Sequence, residues 1–182
     1  NMLNQAAKSD FFLPYTPKGI DAIPQEFRMN SAIIPFDLGY FSINYDSDKL
    51  KEIPSSLEDL TKKIYEKKLI LMDPRTSSPG LGFFLWTIAE YGDGYLDYWK
   101  RLKPSILTIS ESWDSAYSIY LNGEAPLVLS YTTSPAYHKE YEQSLRYRNA
   151  VFSSGHYLQI EGAGIVKFSD NQALAKKFID FM

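Results

Sequence analysis

The sequence predicts an α/β fold in which a mainly parallel sheet is flanked by helices. Three short predicted strands, at residues 69–72, 106–109 and 127–129, are each followed by a polar loop and then by a helical pattern. The first and third are continuous apolar runs, which are typical of strands buried on both faces of a sheet. Strands that alternate with helices favour parallel pairing through right-handed crossovers. The composition agrees, because 45% hydrophobic and 23% charged residues are typical of a globular chain.

The segment before the first apolar run predicts few regular elements. A weak helical pattern covers residues 3–12, and the prolines that follow, up to Pro24, indicate a long surface connection. Strand-forming residues between positions 33 and 45 surround Pro35 and Gly39, which predicts a strand with a break. We expect this strand to lead into a polar turn at residues 46–48.

The remaining elements are predicted from start and stop signals. Ser55 and Glu58 stand at capping-box spacing, which predicts a helix that begins there. Pro104 and the pair Asn122-Gly123 are stop signals for two later helices. Further helices are predicted at residues 81–91, 95–102, 113–121 and 135–141, a strand at 157–161, and a closing helix at 171–182.

Charge and composition exclude several classes of function. The 19 basic and 22 acidic residues give a net charge of -3, which leaves no basic surface for a nucleic-acid backbone. The apolar runs are far shorter than the ~20 residues that span a bilayer, and we recognise no secretory leader at the start of the chain. The chain has no cysteine, which excludes disulfides, thiolate metal ligands and a cysteine nucleophile.

Three polar loops leave the carboxyl ends of the predicted parallel strands, and such loops open on one edge of a sheet. The first contains Ser77 and Ser78, the second ends at Trp113, and the third contains Tyr131 and Tyr137. Ser78 followed by a proline predicts a helix N-terminus, whose free N–H groups attract anions. A Ser-Pro pair is also an ordinary helix start, which leaves a purely structural role open.

The aromatic residues in these loops indicate a different ligand group. Aromatic faces attract cations, and two or three rings can enclose a delocalised positive charge. A flat, positively charged heterocycle that carries a phosphate would therefore suit the predicted crevice. The alternative is that Trp113, Tyr131 and Tyr137 pack the core or cover the sheet edge.

No other pattern indicates catalysis or metal binding. His138 and His156 are far apart and lack metal-site spacing, and no nucleophile elbow, phosphate-binding loop or dinucleotide fingerprint occurs. We therefore expect no metal, no cofactor and no enzymatic activity.

The chain starts with Asn1 before Met2, and the pattern at 171–182 has no capping signal after it. On these grounds we expect a fragment of a longer protein.

Four segments carry a resemblance to a known family: residues 35–41 (PFDLGYF), 73–82 (DPRTSSPGLG), 129–138 (LSYTTSPAYH) and 155–159 (GHYLQ). Together they resemble the thiamine-binding periplasmic proteins, the solute receptors of bacterial thiamine ABC importers, which are type II periplasmic binding proteins. The resemblance runs over nearly the whole chain. It implies a periplasmic, monomeric receptor that captures thiamine or its mono- or diphosphate and delivers it to a membrane permease.

The same resemblance implies roles for the loop residues. Ser77, with its neighbour Ser78, matches a ligand of the phosphate or hydroxyethyl end of thiamine. Asp73 and Arg75 belong to the same motif, and we expect them to shape the loop. The residues that match the aromatic groups around the thiamine rings are Trp113, Tyr131 and Tyr137.

The resemblance further implies a two-lobed receptor of which this chain is a part. Residues 1–44 match the connection between lobes and a first hinge strand, residues 45–150 the second lobe, and residues 151–182 a return hinge strand and the start of a C-terminal helix of the first lobe. Family members are longer and add an acidic residue and a tryptophan to the site from segments outside this chain. We therefore expect about half a binding site, and weak or no thiamine binding by the chain alone.

Three alternatives stay open at this point. The first is a receptor for ferric iron or another small anion in the same superfamily, where adjacent tyrosines bind the metal. The second is an enzyme like the thiaminases, which share the fold and the ligand but use a cysteine that this chain lacks. The third is a structural lobe that has lost binding.

Overall fold

The computed structural model describes residues 2–182, and their contacts divide into two compact units. One unit is Gly39–Leu158, and the other joins the residues up to Leu38 with Gln159–Met182. The predicted second lobe, residues 45–150, lies inside the first unit, which extends further at both ends. In chain order the elements are α1 (Met2–Lys8), β1 (Phe12–Leu13), β2 (Ile34–Asp46), β3 (Leu69–Met72), α2 (Ser78–Tyr91), α3 (Tyr95–Leu102), β4 (Ile106–Ser110), α4 (Trp113–Leu121), β5 (Leu127–Tyr131), α5 (Ser134–Glu142), β6 (Tyr147–Ala150), β7 (Leu158–Ala163), β8 (Ile165–Val166) and α6 (Gln172–Phe181).

The main sheet has the strand order β4-β3-β5-β2-β6, and β7 also pairs with β2. β3 runs parallel to β4 and to β5, whereas β2 is antiparallel to β5 and β6. The predicted α/β class is therefore correct, but the sheet is mixed and not mainly parallel. The runs at 69–72 and 127–129 are buried as predicted, whereas β4, at the edge of the sheet, is partly exposed, with 51% of Ile109 accessible. The direction of β2 could not be predicted, because no crossover helix joins it to its neighbours.

The core of the unit Gly39–Leu158 is centred on β3 and β5. All four residues of β3 are buried, as are Leu127, Val128 and Leu129 of β5. Large aromatic side chains fill the space between the sheet and the helices, and the hydroxyl of the fully buried Tyr98 donates to the Leu57 carbonyl at 2.9 Å. Much of the aromatic content of the chain is thus core packing.

The helix predicted from Ser55 is instead two turns of 3-10 helix between residues 58 and 65. The Ser56 hydroxyl accepts the N–H of Asp59 at 3.0 Å, and the Asp59 carboxylate accepts the N–H of Ser55 at 2.9 Å. The serine hydroxyl and the acid of the expected box are therefore Ser56 and Asp59, each shifted by one residue, while the return bond of the carboxylate stays with the N–H of Ser55. Because two serines and two acids are adjacent in this segment, spacing alone did not distinguish the two pairings.

Two further predictions were wrong in detail. The helical pattern at residues 3–12 ends at Lys8, and β1 follows, with Phe12 opposite Val166 of β8. Strand β6 was not predicted, because the polar residues Arg148 and Asn149 interrupt its apolar pattern. The predicted connection through the prolines is present and contains two short 3-10 helices.

The unit that ends in α6 has a small core. Ile34, Ile165 and Ile179 are its clustered buried residues, while Phe168 and Phe181 expose 77% and 85% of their surface. A hydrogen bond of 2.7 Å from the Tyr15 hydroxyl to the Asp180 carboxylate ties the early segment to α6. Within residues 2–182, no helix is both long and apolar enough to cross a membrane.

Candidate functional site

The loops after β3 and β4 lie together at one edge of the sheet. β3 and β4 are parallel, so the two loops leave the sheet at the same edge. The N–H of Asp73 donates to the Ser110 carbonyl at 2.8 Å, and the Thr76 hydroxyl donates to the Glu111 carbonyl at 2.7 Å. These bonds fix the first predicted loop against the second.

Ser77 is the N-cap residue of α2, although the sequence predicted Ser78 for that position. Ser78 is instead the first helical residue and is exposed. The Ser77 hydroxyl does not cap the helix: it is buried, with 8% of the residue exposed, and it has no hydrogen-bond partner in the part of the chain that the structure describes. A buried hydroxyl without a partner is unfavourable by about 1–3 kcal/mol, and a polar group from outside the chain that reached Ser77 would remove that cost.

The start of α2 packs tightly on the end of β3. A Cβ atom at Gly80 would lie 2.5 Å from the Met72 carbonyl oxygen and 2.8 Å from that of Asp73. Only glycine allows this approach without displacing backbone. The close packing holds Ser77 at the sheet edge.

Asp73 and Arg75 bond to each other. The Arg75 guanidinium donates to both carboxylate oxygens of Asp73, at 2.9 and 2.5 Å, and the Arg75 N–H donates to the same carboxylate at 2.9 Å. The side-chain bond from Arg75 is the largest cause that lowers the pKa of Asp73 to about 2. This pair braces the loop that precedes Ser77.

Trp113 is the first residue of α4 and is half-buried. Its indole N–H donates to the Ser130 hydroxyl at 2.9 Å, and that hydroxyl lies 2.8 Å from the hydroxyl of Ser134. One face of the indole stacks on Tyr117, with ring centroids 4.7 Å apart and an interplanar angle of 20°. The ring is therefore fixed both at its edge and on one face.

Tyr131 ends β5 beside Trp113. Its ring centroid is 6.3 Å from that of Trp113, at 50°, and 5.4 Å from that of Phe41. Phe41 in turn fills the space that a side chain at Gly82 would need. Trp113 and Tyr131 thus form a half-buried aromatic wall at the sheet edge, which we call the Trp113–Tyr131 wall.

Tyr137 is placed differently from the other two predicted aromatic residues. It lies on α5 with 58% of its surface exposed. Its ring packs against Tyr141 at 4.8 Å and against the edge of His138 at 5.8 Å. The structure therefore brings Trp113 and Tyr131 together, and it links Tyr137 to Trp113 through two buried neighbours.

Those buried neighbours are Tyr117 and His138, which the sequence analysis did not single out as site residues. Tyr117 lies four residues after Trp113, a spacing that places both on one face of α4. That spacing could have identified Tyr117. The contact of Tyr117 with His138 joins α4 to α5 and has no signal in the sequence. The other histidine, His156, bonds through Nδ1 to the Phe41 carbonyl at 2.8 Å.

The whole chain, residues 1–182, matches the family described as bacterial extracellular solute-binding protein. It is 42% identical to the thiamine-binding periplasmic protein of Brucella melitensis, over 100% of this chain and 54% of that protein. It is also 42% identical to the thiamine-binding periplasmic protein of Escherichia coli K12, over 100% of this chain and 56% of that protein. The chain thus spans about half the length of these curated relatives.

Solved structures give the same assignment. A periplasmic thiamin binding protein superposes with a TM-score of 0.92 at 43% identity, covering 100% of this chain and 57% of that one. The apo ferric ion-binding protein A of Pasteurella haemolytica superposes with a TM-score of 0.80 at 19% identity, covering 99% of this chain and 60% of that one, and so shares the fold. These matches confirm the predicted periplasmic-binding-protein-like fold. The chain belongs to the family of bacterial extracellular solute-binding proteins.

Proposed function

We propose that this chain is part of an extracytoplasmic receptor that captures thiamine, or its mono- or diphosphate, and delivers it to the membrane permease of an ABC importer. The observation that carries the proposal is the Trp113–Tyr131 wall at the same sheet edge as the buried, unpartnered Ser77 hydroxyl. The names of the relatives at 42% identity support the choice of ligand.

The chemistry of thiamine suits these two features. Its thiazolium ring is a flat, permanent cation, which is attracted to the faces of aromatic side chains, and its pyrimidine ring can stack on them. In the proposed complex Trp113 and Tyr131 contact the rings, and Tyr137 borders them on the exposed side. Ser77 and Ser78, with the free N–H groups at the start of α2, receive the hydroxyethyl or phosphate end.

The proposal assigns the protein to transport and not to catalysis. The cysteine nucleophile of thiaminase-like enzymes has no counterpart within these 182 residues, which contain no cysteine. The relatives are named as periplasmic proteins, which supports a location outside the cytoplasm. The proposed receptor is a monomer that needs neither a metal nor a cofactor.

The ferric-iron alternative has less support from the geometry. Iron binding through tyrosines would need two phenolic oxygens to converge on one ion. Tyr131 packs between Phe41 and Trp113, whereas Tyr137 packs against Tyr141 on α5. Titration with ferric iron should therefore give no intense charge-transfer band in the visible spectrum, and such a band would favour the iron receptor.

Replacing Trp113 with leucine in the full-length protein should weaken thiamine binding about 30-fold. A desolvated cation–π contact contributes roughly 2 kcal/mol, and each 1.4 kcal/mol changes a dissociation constant tenfold. The measurement is isothermal titration calorimetry with thiamine. The matched control is Trp99→Leu, because Trp99 packs on Phe83 and Phe84 and donates to Thr87, away from the sheet edge. Unchanged affinity in folded Trp113→Leu protein would contradict the proposal.

The isolated 182-residue chain should bind thiamine far more weakly than the full-length protein. The reason is that this chain spans about half the length of its relatives, and we expect the rest to supply further contacts. Titration followed by tryptophan fluorescence measures the difference. A submicromolar dissociation constant for the isolated chain would show that this half of the site is sufficient.

A further inference from the structure

A column of stacked rings runs inward from Trp113. Tyr117 lies under Trp113 at 4.7 Å, and the imidazole of His138 lies next to Tyr117 at 5.8 Å with an interplanar angle of 17°. Tyr147 of β6 closes the far side of His138 at 4.4 Å. The three inner rings are buried, so only Trp113 of this column faces the sheet edge in part.

Both nitrogens of His138 are engaged. Nδ1 is 2.7 Å from a carboxylate oxygen of Glu142, and Nε2 is 2.8 Å from the Tyr117 hydroxyl. An ionised carboxylate only accepts hydrogen bonds, so Nδ1 carries a proton, and in the neutral imidazole Nε2 then accepts from the Tyr117 hydroxyl. Burial raises the pKa of Tyr117 to about 12, and its hydroxyl therefore keeps the proton that it donates.

This bond holds the hydroxyl of Tyr117, the one polar atom of the ring, which also has Ser134 and Asn44 as polar neighbours. Stacking restricts the plane of a ring but leaves it free to slide and rotate within that plane. A hydrogen bond at the end of the Tyr117 ring removes that freedom, because Glu142 holds the imidazole in turn. The position of Tyr117 determines where the indole of Trp113 can stack.

We infer that His138 is a positioning residue of the ligand site: through its hydrogen bond to Tyr117 it holds the face on which Trp113 stacks. The inference rests on the proposed function, because it concerns the same aromatic wall. His138 has no role in contact with the ligand. It acts two rings away, by restricting the orientations of Trp113 before the ligand binds.

Two substitutions of His138 in the full-length protein separate its two bonds. The amide of His138→Gln can reach the position of Nε2 and accept from Tyr117, whereas the shorter amide of His138→Asn can reach only the position of Nδ1. We expect His138→Asn to weaken thiamine binding about tenfold, and His138→Gln to stay within about threefold of the wild type. Equal losses in the two variants would overturn the inference, since a purely structural role predicts no rescue by glutamine.

Tyr117→Phe tests the same bond from its other end without removing a buried histidine. It should weaken binding at least as much as His138→Asn does, and the two changes together should be no worse than Tyr117→Phe alone, because both remove the bond between Tyr117 and His138. The matched control is Tyr120→Phe on the same helix, whose hydroxyl has no hydrogen-bond partner among residues 2–182. Unchanged affinity in Tyr117→Phe would overturn the inference.

A measurement without ligand distinguishes failure of this inference from failure of the proposed function. The indole N–H signal of Trp113 in a proton–nitrogen NMR spectrum, assigned with Trp113→Phe, reports the position of the ring. It should shift or broaden in Tyr117→Phe and in His138→Asn, and stay in place in His138→Gln and Tyr120→Phe. If this pattern appears but the wild type does not bind thiamine, the ligand is wrong and the positioning role stands. If the signal does not move, the positioning role is wrong.

Discussion

Replacing Arg146 with methionine is expected to lower the free energy of unfolding by about 3 kcal/mol at neutral pH. The carboxylate of Asp46 is almost fully buried, with 1% of its side chain exposed, and the Arg146 guanidinium donates to both of its oxygens at 2.8 and 2.6 Å. Methionine fills similar space but cannot neutralise the charge. The variant therefore retains a buried carboxylate that has lost its ionic partner.

The pH dependence of this effect follows from the pKa of Asp46. The bond from Arg146 is the largest cause that lowers this pKa below its ordinary value. A lowered folded-state pKa stabilises the protein above the unfolded value of about 4, and this contribution is lost as the pH falls through the folded pKa. The difference between wild type and Arg146→Met should thus be largest at neutral pH. It should shrink as the pH falls, first because the unpaired buried carboxylate of the variant takes up a proton, and below about 4 because the wild type loses its own stabilisation.

Urea unfolding at neutral and acid pH measures this difference, and tryptophan fluorescence reports it because all three tryptophans lie within residues 39–158. The control is Arg101→Met. Arg101 pairs with Glu58 on the surface, where both side chains are about half exposed, and such pairs contribute less than about 1 kcal/mol. Adding Asp46→Asn to Arg146→Met should restore part of the loss. Equal effects of the two arginine substitutions would show that burial of Asp46 is not the cause.

Replacing Gly80 with alanine should destabilise the protein by about 2 kcal/mol, although alanine is ordinarily the better helix residue by about 1 kcal/mol. Alanine lowers stability at this position because its Cβ would meet two backbone carbonyl oxygens, at 2.5 and 2.8 Å. Backbone atoms cannot rotate away as a side chain can. The start of α2 must therefore move from the end of β3, and Ser77 must move with it.

The matched control is Gly94→Ala, which lies just before α3 with no atom within 4 Å of its new Cβ. That change should be neutral or slightly stabilising, since it only restricts the unfolded chain. Thermal and urea unfolding of both variants measure the two effects. In the full-length protein, Gly80→Ala should also weaken thiamine binding, whereas Gly94→Ala should not. Similar stability of the two variants would contradict the close approach at Gly80.

Much of the fold could be predicted because burial and helix starts are local properties. The apolar run at residues 69–72 became β3 with the predicted bounds, and α3 and α4 also have theirs. Strand β6 could not be recognised, because the polar residues Arg148 and Asn149 lie between its two buried residues. The antiparallel position of β2 depends on neighbours distant in sequence, which local patterns do not describe.

The candidate site, too, could be predicted only in part. Its position after the strands of the sheet follows from the order of strands and helices, which is why Ser77, Trp113 and Tyr131 could be selected as residues of one edge. The supporting contacts depend on packing between helices, so the bond between Tyr117 and His138 could not be predicted. The choice of Ser78 as N-cap was wrong by one residue, since two adjacent serines offer equal capping chemistry.

The buried hydroxyl of Ser77 has a consequence for selectivity. In the proposed complex, a ligand that brings a polar group to this hydroxyl recovers about 1–3 kcal/mol. An analogue with a hydrogen or a methyl group at that point would recover nothing. Since 1.4 kcal/mol is a factor of ten, one serine would then discriminate against deoxygenated analogues by about fivefold to a hundredfold without any steric exclusion.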